Sequence, residues 1–307
     1  MTTTLAANRP AYDGKALDLT GKSGNRAFKN TLASVLITLC FLIALIPLIW
    51  ILWTVISKGY NLLFDAGWWS ESQRGITVRR EGGGAYHAIM GTLIMSLITA
   101  LIAVPIAILG AIYLVEYGKG TKAAKVVSFM IDILTGVPSI VAALFIYAVW
   151  ITVFGFNRVG FAVSLSLVLL MLPVVLRSTE EMLKLVPDEL REASYALGVP
   201  KWKTILKIVV PTAFGGIITG VMLGLARVMG ETAPLLILVG YSKNINLNPF
   251  EGFMGALPTM INQDRTELAL QPAADRVWAA ALTLILLVLL LNVLARLVAR
   301  FSAIKSK

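Results

Sequence analysis

Arg227 and Glu231 stand four residues apart in a stretch that is otherwise apolar, small or glycine: Gly215-Gly216-Ile217-Ile218-Thr219-Gly220-Val221-Met222-Leu223-Gly224-Leu225-Ala226-Arg227-Val228-Met229-Gly230-Glu231-Thr232. A guanidinium offers a planar fork of donors that fits an oxyanion in bidentate fashion. A neighbouring carboxylate repels a bare dianion. It accepts a hydrogen bond, however, from an anion that keeps an O–H, as protonated phosphate does and sulfate at neutral pH does not. The pair therefore suits selective handling of a protonated oxyanion. At about 100° per residue, Gly216, Gly220, Gly224, Arg227 and Glu231 fall within roughly 80° of arc. The expectation is one continuous helix whose glycines admit a neighbouring helix and whose Arg and Glu touch. An arginine near mid-bilayer costs from about 3 to 10 kcal/mol or more, so it is expected to line a water-filled route. The alternative is a neutralised pair that fixes helix register.

The elements that must position these groups are membrane spans. Of 307 residues, 57% are hydrophobic and 14% charged, and the mean hydropathy is +0.80. A soluble chain of this length carries far more charge. A span needs about 20 mostly apolar residues. Six stretches qualify, near 31–57, 87–115, 126–150, 159–176, 212–239 and 277–298, so the expected class is an all-α polytopic membrane protein. The organisation reads as a polar tail (1–30), a first span (31–57), a core (58–300) with a long basic loop at 178–211, and a short tail (301–307).

Most of the 27 basic residues fall in alternate segments. Arg9, Lys15, Lys22, Arg26 and Lys29 precede the first span; Lys119, Lys122 and Lys125 follow the second; Arg177 to Lys207 follow the fourth; Arg296 to Lys307 close the chain. With six spans these segments share one side, which places both termini in the cytoplasm. The net charge of +10 follows from that bias and calls for no nucleic acid. Arg177, at the end of the fourth span, reads either as a positive-inside anchor or as an exit-side anion contact. Gly21-Lys22-Ser23 resembles the end of a phosphate-binding loop, but Ala16 stands where that motif needs glycine. No nucleotide site is therefore expected on this chain. With one cysteine, Cys40, and one histidine, His87, neither a disulfide nor a zinc site is expected. Cys40 reads as a buried or lipid-facing apolar residue and His87 as interfacial. No nucleophile–histidine arrangement or catalytic acid pair appears, so the chain is expected not to be an enzyme.

The loop at 178–211 reads as a helical hairpin. Pro187, Asp188 and Glu189 suit a helix start, Gly198 a left-handed stop and Pro200 a second start. Val186, Leu190, Ala193 and Leu197 make one apolar face, which no lipid covers and a protein groove would. The other reading is an amphipathic hairpin lying on the bilayer. Glu192-Ala193-Ser194, then Gly198, then Ile208-Val209-Val210-Pro211 resembles the EAA loop of ABC-importer permeases. Ser194 and Val210 depart from it by small changes of size. Elsewhere, Pro105 and Gly136-Val137-Pro138-Ser139 mark helix breaks, read as gate elements or as packing geometry. The loop at 241–276 is expected to hold a short amphipathic helix, either a docking surface or a packed cap.

Further motifs narrow the resemblance. Arg227 to Pro234, Gly91-Thr92-Leu93 with Pro105, Tyr113-Leu114-Val115-Glu116-Tyr117, Gly136 to Val141, and Leu172-Pro173 through Glu181 together are similar to the PstA type of phosphate-specific ABC permease. The similarity covers about residues 85–300. It implies a type I importer (MetI-like) permease fold, a PstC-like permease as heterodimer partner, two PstB-like ATPase subunits holding ATP and Mg2+, and a PstS-like phosphate-binding protein outside. It implies phosphate as substrate, inner-membrane localisation, and functional roles for Arg227 and Glu231. Glu192, Ala193, Ser194, Leu197 and Gly198 would form the ATPase-coupling loop; Arg177 joins the candidate pathway residues from its own place at the end of the fourth span, not from the resemblance. Other oxyanions, and a secondary transporter or channel that works alone, are the competing functions.

Overall fold

The computed structural model describes residues 24–304. Most of the expected N-terminal tail, including Gly21-Lys22-Ser23, and residues 305–307 lie outside them. Twelve helices follow one another among the described residues: α1 (Gly24–Leu63), α2 (Ala66–Ser70), α3 (Tyr86–Ile112), α4 (Lys122–Gly136), α5 (Ser139–Ile146), α6 (Gly160–Lys184), α7 (Asp188–Ala196), α8 (Lys201–Thr204), α9 (Val210–Met229), α10 (Ala233–Leu238), α11 (Leu257–Asp264) and α12 (Gln271–Ile304). Single π-helical segments extend α3 (Tyr113–Tyr117), α5 (Tyr147–Val153) and α8 (Ile205–Val209). Among the described residues five helices are long and apolar enough to cross a membrane, and α4 with α5 makes six if that bent pair is one span.

The chain divides into two compact units, Met1–Trp53 and Thr54–Lys307. In the first, the described part of α1 exposes its large apolar side chains, among them Phe41, Trp50 and Trp53. Cys40 is exposed with them, as a lipid-facing residue would be.

The second unit is built round α6, which packs against α3 on one flank and α9 on the other. Small residues allow both approaches. Ala103, Ala107 and Ala111 of α3, four apart, are fully buried. On α9 the matching stripe is glycine. A Cβ at Gly216 would overlap Met182, and one at Gly220 would overlap the Ser178 side chain. A Cβ at Gly224 would come within 2.9 Å of Val175 Cγ2. The glycine stripe thus meets α6, as its spacing suggests. In lipid such close backbone approach replaces the hydrophobic drive that water supplies elsewhere.

Two expected spans are interrupted. The third breaks at Val137-Pro138, where α4 and α5 diverge by 106°. Proline carries no N–H for the helix ladder, and the residue before it is pushed to extended geometry: Val137 has ψ 125°. Pro105, by contrast, lies inside an unbroken α3. The fifth span ends at Met229 rather than running to 239. Pro234 sits in the first turn of α10, so the ladder cannot continue across Gly230-Glu231-Thr232. The Arg158 guanidinium closes the other end of α10 by donating to the carbonyls of Leu236 and Ile237. The loop helix α11 is a packed cap: Leu257, Pro258, Thr259 and Met260 are buried, and its contacts are with α3 and α12.

Candidate functional site

The helix break changes the relation between Arg227 and Glu231. Arg227 occupies the last turn of α9, where a cation faces the negative end of the helix dipole. Glu231 lies in the three-residue break before α10. The expectation of mutual contact on a continuous helix is not met. The Arg227 side chain is exposed, and it makes no ion pair or hydrogen bond with the described residues. The two groups still converge on one bend, but the guanidinium is not neutralised by its neighbour. This removes the geometry on which the register-fixing alternative depended.

Arg177 is arranged in the opposite way. Its Nη2 donates to the Ser128 carbonyl at 2.9 Å, to Ser128 Oγ at 2.8 Å and to Asp132. Its Nη1 donates to Glu180 Oε2 at 2.6 Å. Lys184 completes the group by donating to Glu180 Oε1 at 2.7 Å. Two cations and two carboxylates balance, and the assembly ties α4 to α6. Arg177 therefore holds an inter-helix brace, and its positive charge is already answered.

The hairpin forms as its punctuation indicates. Pro187 caps α7, with Asp188 and Glu189 in the first turn. Gly198 has φ +72°, the left-handed conformation that side-chain-bearing residues adopt at a cost. Pro200 caps α8. Glu192 and Ala193 are exposed, and Leu197 is 83% exposed, joined by Leu190, Trp202 and Leu206. Val186, counted on that apolar face from its spacing, is instead buried in the main core. Ser194 points inward: its hydroxyl lies 2.8 Å from Thr204 Oγ1, both buried, and ties α7 to α8.

A second polar cluster, which sequence reading missed, gathers at the start of α3. Arg276, only 2% exposed, donates to the carbonyls of Arg80 at 2.8 Å and Val78 at 3.1 Å and faces Asp264 at 3.5 Å. Gln73 Nε2 donates to the same carboxylate, also at 3.5 Å. Tyr241 donates to Gln73 Oε1 at 3.3 Å, and His87 Nε2 lies 3.2 Å from its hydroxyl. Burial first, then the Asp264 carboxylate, pushes the Tyr241 phenol up, so it stays a donor. His87 is thus buried beneath a loop at the start of α3. Thr92 accepts from the Leu257 amide at 2.9 Å, which accounts for one motif residue by loop pinning. The members of this cluster are scattered from 73 to 276, and no local spacing announces them.

A cleft of about 570 Å³ separates α9 from α12, lined by Ala226, Gly230, Leu284, Leu289, Asn292 and Arg296 among others. Its wall is largely aliphatic, so the cleft is not itself an anion site. Arg227 is not among its lining residues.

Comparison with known proteins follows the same outline. A family model described as "Binding-protein-dependent transport system inner membrane component" matches residues 103–303. The "Phosphate transport system permease protein PstA 1" of Mycobacterium tuberculosis is 52% identical over 284 residues, covering 92% of each chain. The PstA protein of Mycobacterium leprae is 54% identical over 280 residues, covering 91% of each, and that of Yersinia pestis 39%, covering 90% of this chain and 92% of the relative. Among solved structures, the MetNI methionine ABC transporter in an inward-facing conformation matches with TM-score 0.57 at 19% identity, over 69% of this chain and 93% of that one. A bacterial alginate ABC transporter matches with TM-score 0.60 at 17% identity, over 91% and 97%. The chain belongs to the inner-membrane permeases of binding-protein-dependent transport, and within them to the PstA family.

Proposed function

We propose that this chain is the permease subunit through which an ATP-driven importer passes inorganic phosphate into the cytoplasm. Its relatives named as phosphate-transport permeases, at 52–54% identity over nine-tenths of the chain, support the substrate. The basic-residue bias supports an inner-membrane orientation with both termini and the α7–α8 hairpin cytoplasmic. The exposed face of Leu190, Leu197, Trp202 and Leu206 supports docking of a PstB-like ATPase, two copies of which bind ATP and Mg2+ and do the hydrolysis. A PstC-like permease completes the pathway, and a PstS-like protein delivers phosphate from outside.

The observation that carries the site is the contrast between the two arginines: Arg177 is saturated by carboxylates and Arg227 is not. Arg227 attracts the anion at the bend between α9 and α10. Glu231 accepts the O–H of protonated phosphate and so discriminates against sulfate. Domain closure of the ATPases displaces the hairpin, and the helices round α6 alternate between outward and inward openings. Uptake of labelled phosphate into vesicles rebuilt with the Arg227→Gln or Glu231→Gln chain tests the assignment. Loss of uptake in the first and weakened exclusion of sulfate in the second are expected. Full, phosphate-selective uptake in both would remove it.

A further inference from the structure

Glu116 lies in the π-helical end of α3, inside a motif to which the anion pathway gives no task. Its side chain is 5% exposed, and that of Arg191 on α7 is 11% exposed. All five N–H donors of Arg191 are engaged. Nε and one N–H of Nη2 reach Glu116 Oε1 at 3.1 and 2.9 Å. The other Nη2 proton goes to the Leu183 carbonyl at the end of α6, at 3.0 Å. Nη1 serves the Val186 carbonyl at 2.7 Å and Asp188 Oδ1 at 3.0 Å. Lys201, the first residue of α8, donates to the Glu116 carbonyl and lies 4.8 Å from the Tyr117 ring centroid. The ends of α3 and α6 and both arms of the hairpin therefore meet round the Glu116–Arg191 pair, with Lys201 beside it. The hairpin reaches α6 through the covalent link at 185–187. Its polar ties to α3 run through Glu116 and its flanking backbone.

We propose that Glu116 is a positioning residue of transport: it latches the hairpin to the end of α3, so that displacement of the hairpin by the ATPase is delivered to α3 as rigid motion. A carboxylate this buried is retained at a desolvation cost that an apolar residue would avoid. The five-donor geometry also fixes orientation as well as distance, which a single apolar contact does not. Lysine at 191, with three donors on one nitrogen, would not serve all of these acceptors. The inference rests on the importer reading given above.

The test uses the assembled complex in vesicles and reads two quantities, phosphate imported per ATP hydrolysed and a distance between spin labels. The labels are placed at Lys122→Cys and Ala196→Cys in a Cys40→Ala background. In the otherwise unaltered complex the distance is expected to be narrow and the same with and without nucleotide. In Glu116→Gln, ATP hydrolysis is expected to continue while phosphate per ATP falls about two- to thirtyfold, the range carried by a residue on a coupling route. The label distance should broaden and become nucleotide-dependent. A purely structural brace would lower the melting temperature without changing the ratio. Lys201→Gln removes one tie only; it gives a smaller fall in the same direction and decides the matter if Glu116→Gln does not assemble. An unchanged ratio, or an unchanged distance, in the variant that assembles overturns the latch. If the complex imports no phosphate at all, the substrate reading fails, and the distance measurement still decides the latch.

Discussion

A guanidinium inside a membrane protein is either answered by carboxylates or kept for something else, and Arg177 and Arg227 contrast the two among the described residues. Arg177 bonds to Asp132, Glu180 and Ser128 across two helices. Replacing it with glutamine leaves Glu180 with Lys184 as its one cation and takes the guanidinium from Asp132, and is expected to lower stability by about 1–3 kcal/mol. Chemical denaturation of the purified complex would read that loss, with little change in the KM for phosphate. Arg227 has no such partner among the described residues and is exposed, so Arg227→Gln should leave the denaturation midpoint unchanged. Uptake should fall about ten- to a hundredfold, the worth of a charge-assisted contact to the anion. The residue types were readable from the sequence alone. The difference between the two was not, because Asp132 is 45 positions from Arg177 and only folding brings it near. The Arg227–Glu231 contact failed for a local reason. Pro234 ends the helix that the periodicity was extended through, and its missing N–H outweighs the apolar pattern.

Among the elements, the glycine stripe of α9 illustrates what periodicity conveys well. Gly216, Gly220 and Gly224 face α6 because residues four apart share a face, and their spacing alone states that something must come close. Gly220→Val should force α6 and α9 apart at Ser178. The expected cost is about 1–3 kcal/mol, with a corresponding fall in the melting temperature of the assembled complex. The break between α4 and α5 was legible at Pro138 as a kink. Its 106° angle was not, because the direction of α5 is set by packing against α6 and α10 rather than by the proline. In the hairpin, Ser194 departs from the alanine of the motif it resembles, and its hydroxyl meets Thr204. Ser194→Ala should therefore cost about 1 kcal/mol of stability while leaving uptake near its original rate. Loss of uptake in that variant would place Ser194 at the ATPase contact instead.

At the scale of the whole molecule, span number, the basic bias and the hairpin were all present in composition and spacing. The polar cores that clamp the two ends of α3 were not. Glu116 with Arg191 and Lys201, and Gln73 with Tyr241, Asp264 and Arg276, are each assembled from distant segments. The only local hint was that Glu116 sits in an otherwise apolar motif and that Arg191 immediately precedes the hairpin's signature. A membrane fold tolerates such groups where they partner one another, and that partnering is a property of tertiary structure. The exposed hairpin face also belongs to this scale. Leu197→Asp should abolish retention of the ATPase subunit by the complex, measured by co-purification, while the permease itself stays folded.

The central claim is that phosphate crosses the membrane through this chain at the expense of ATP hydrolysed by a partner. The direct measurement is uptake of labelled phosphate by sealed vesicles containing the ATPase and the second permease, with the binding protein supplied outside, rebuilt with and without this chain. Uptake that needs the chain and ATP together, and that excess sulfate does not compete away, is the predicted result. Phosphate uptake that proceeds without ATP, or equally well without the chain, would contradict it.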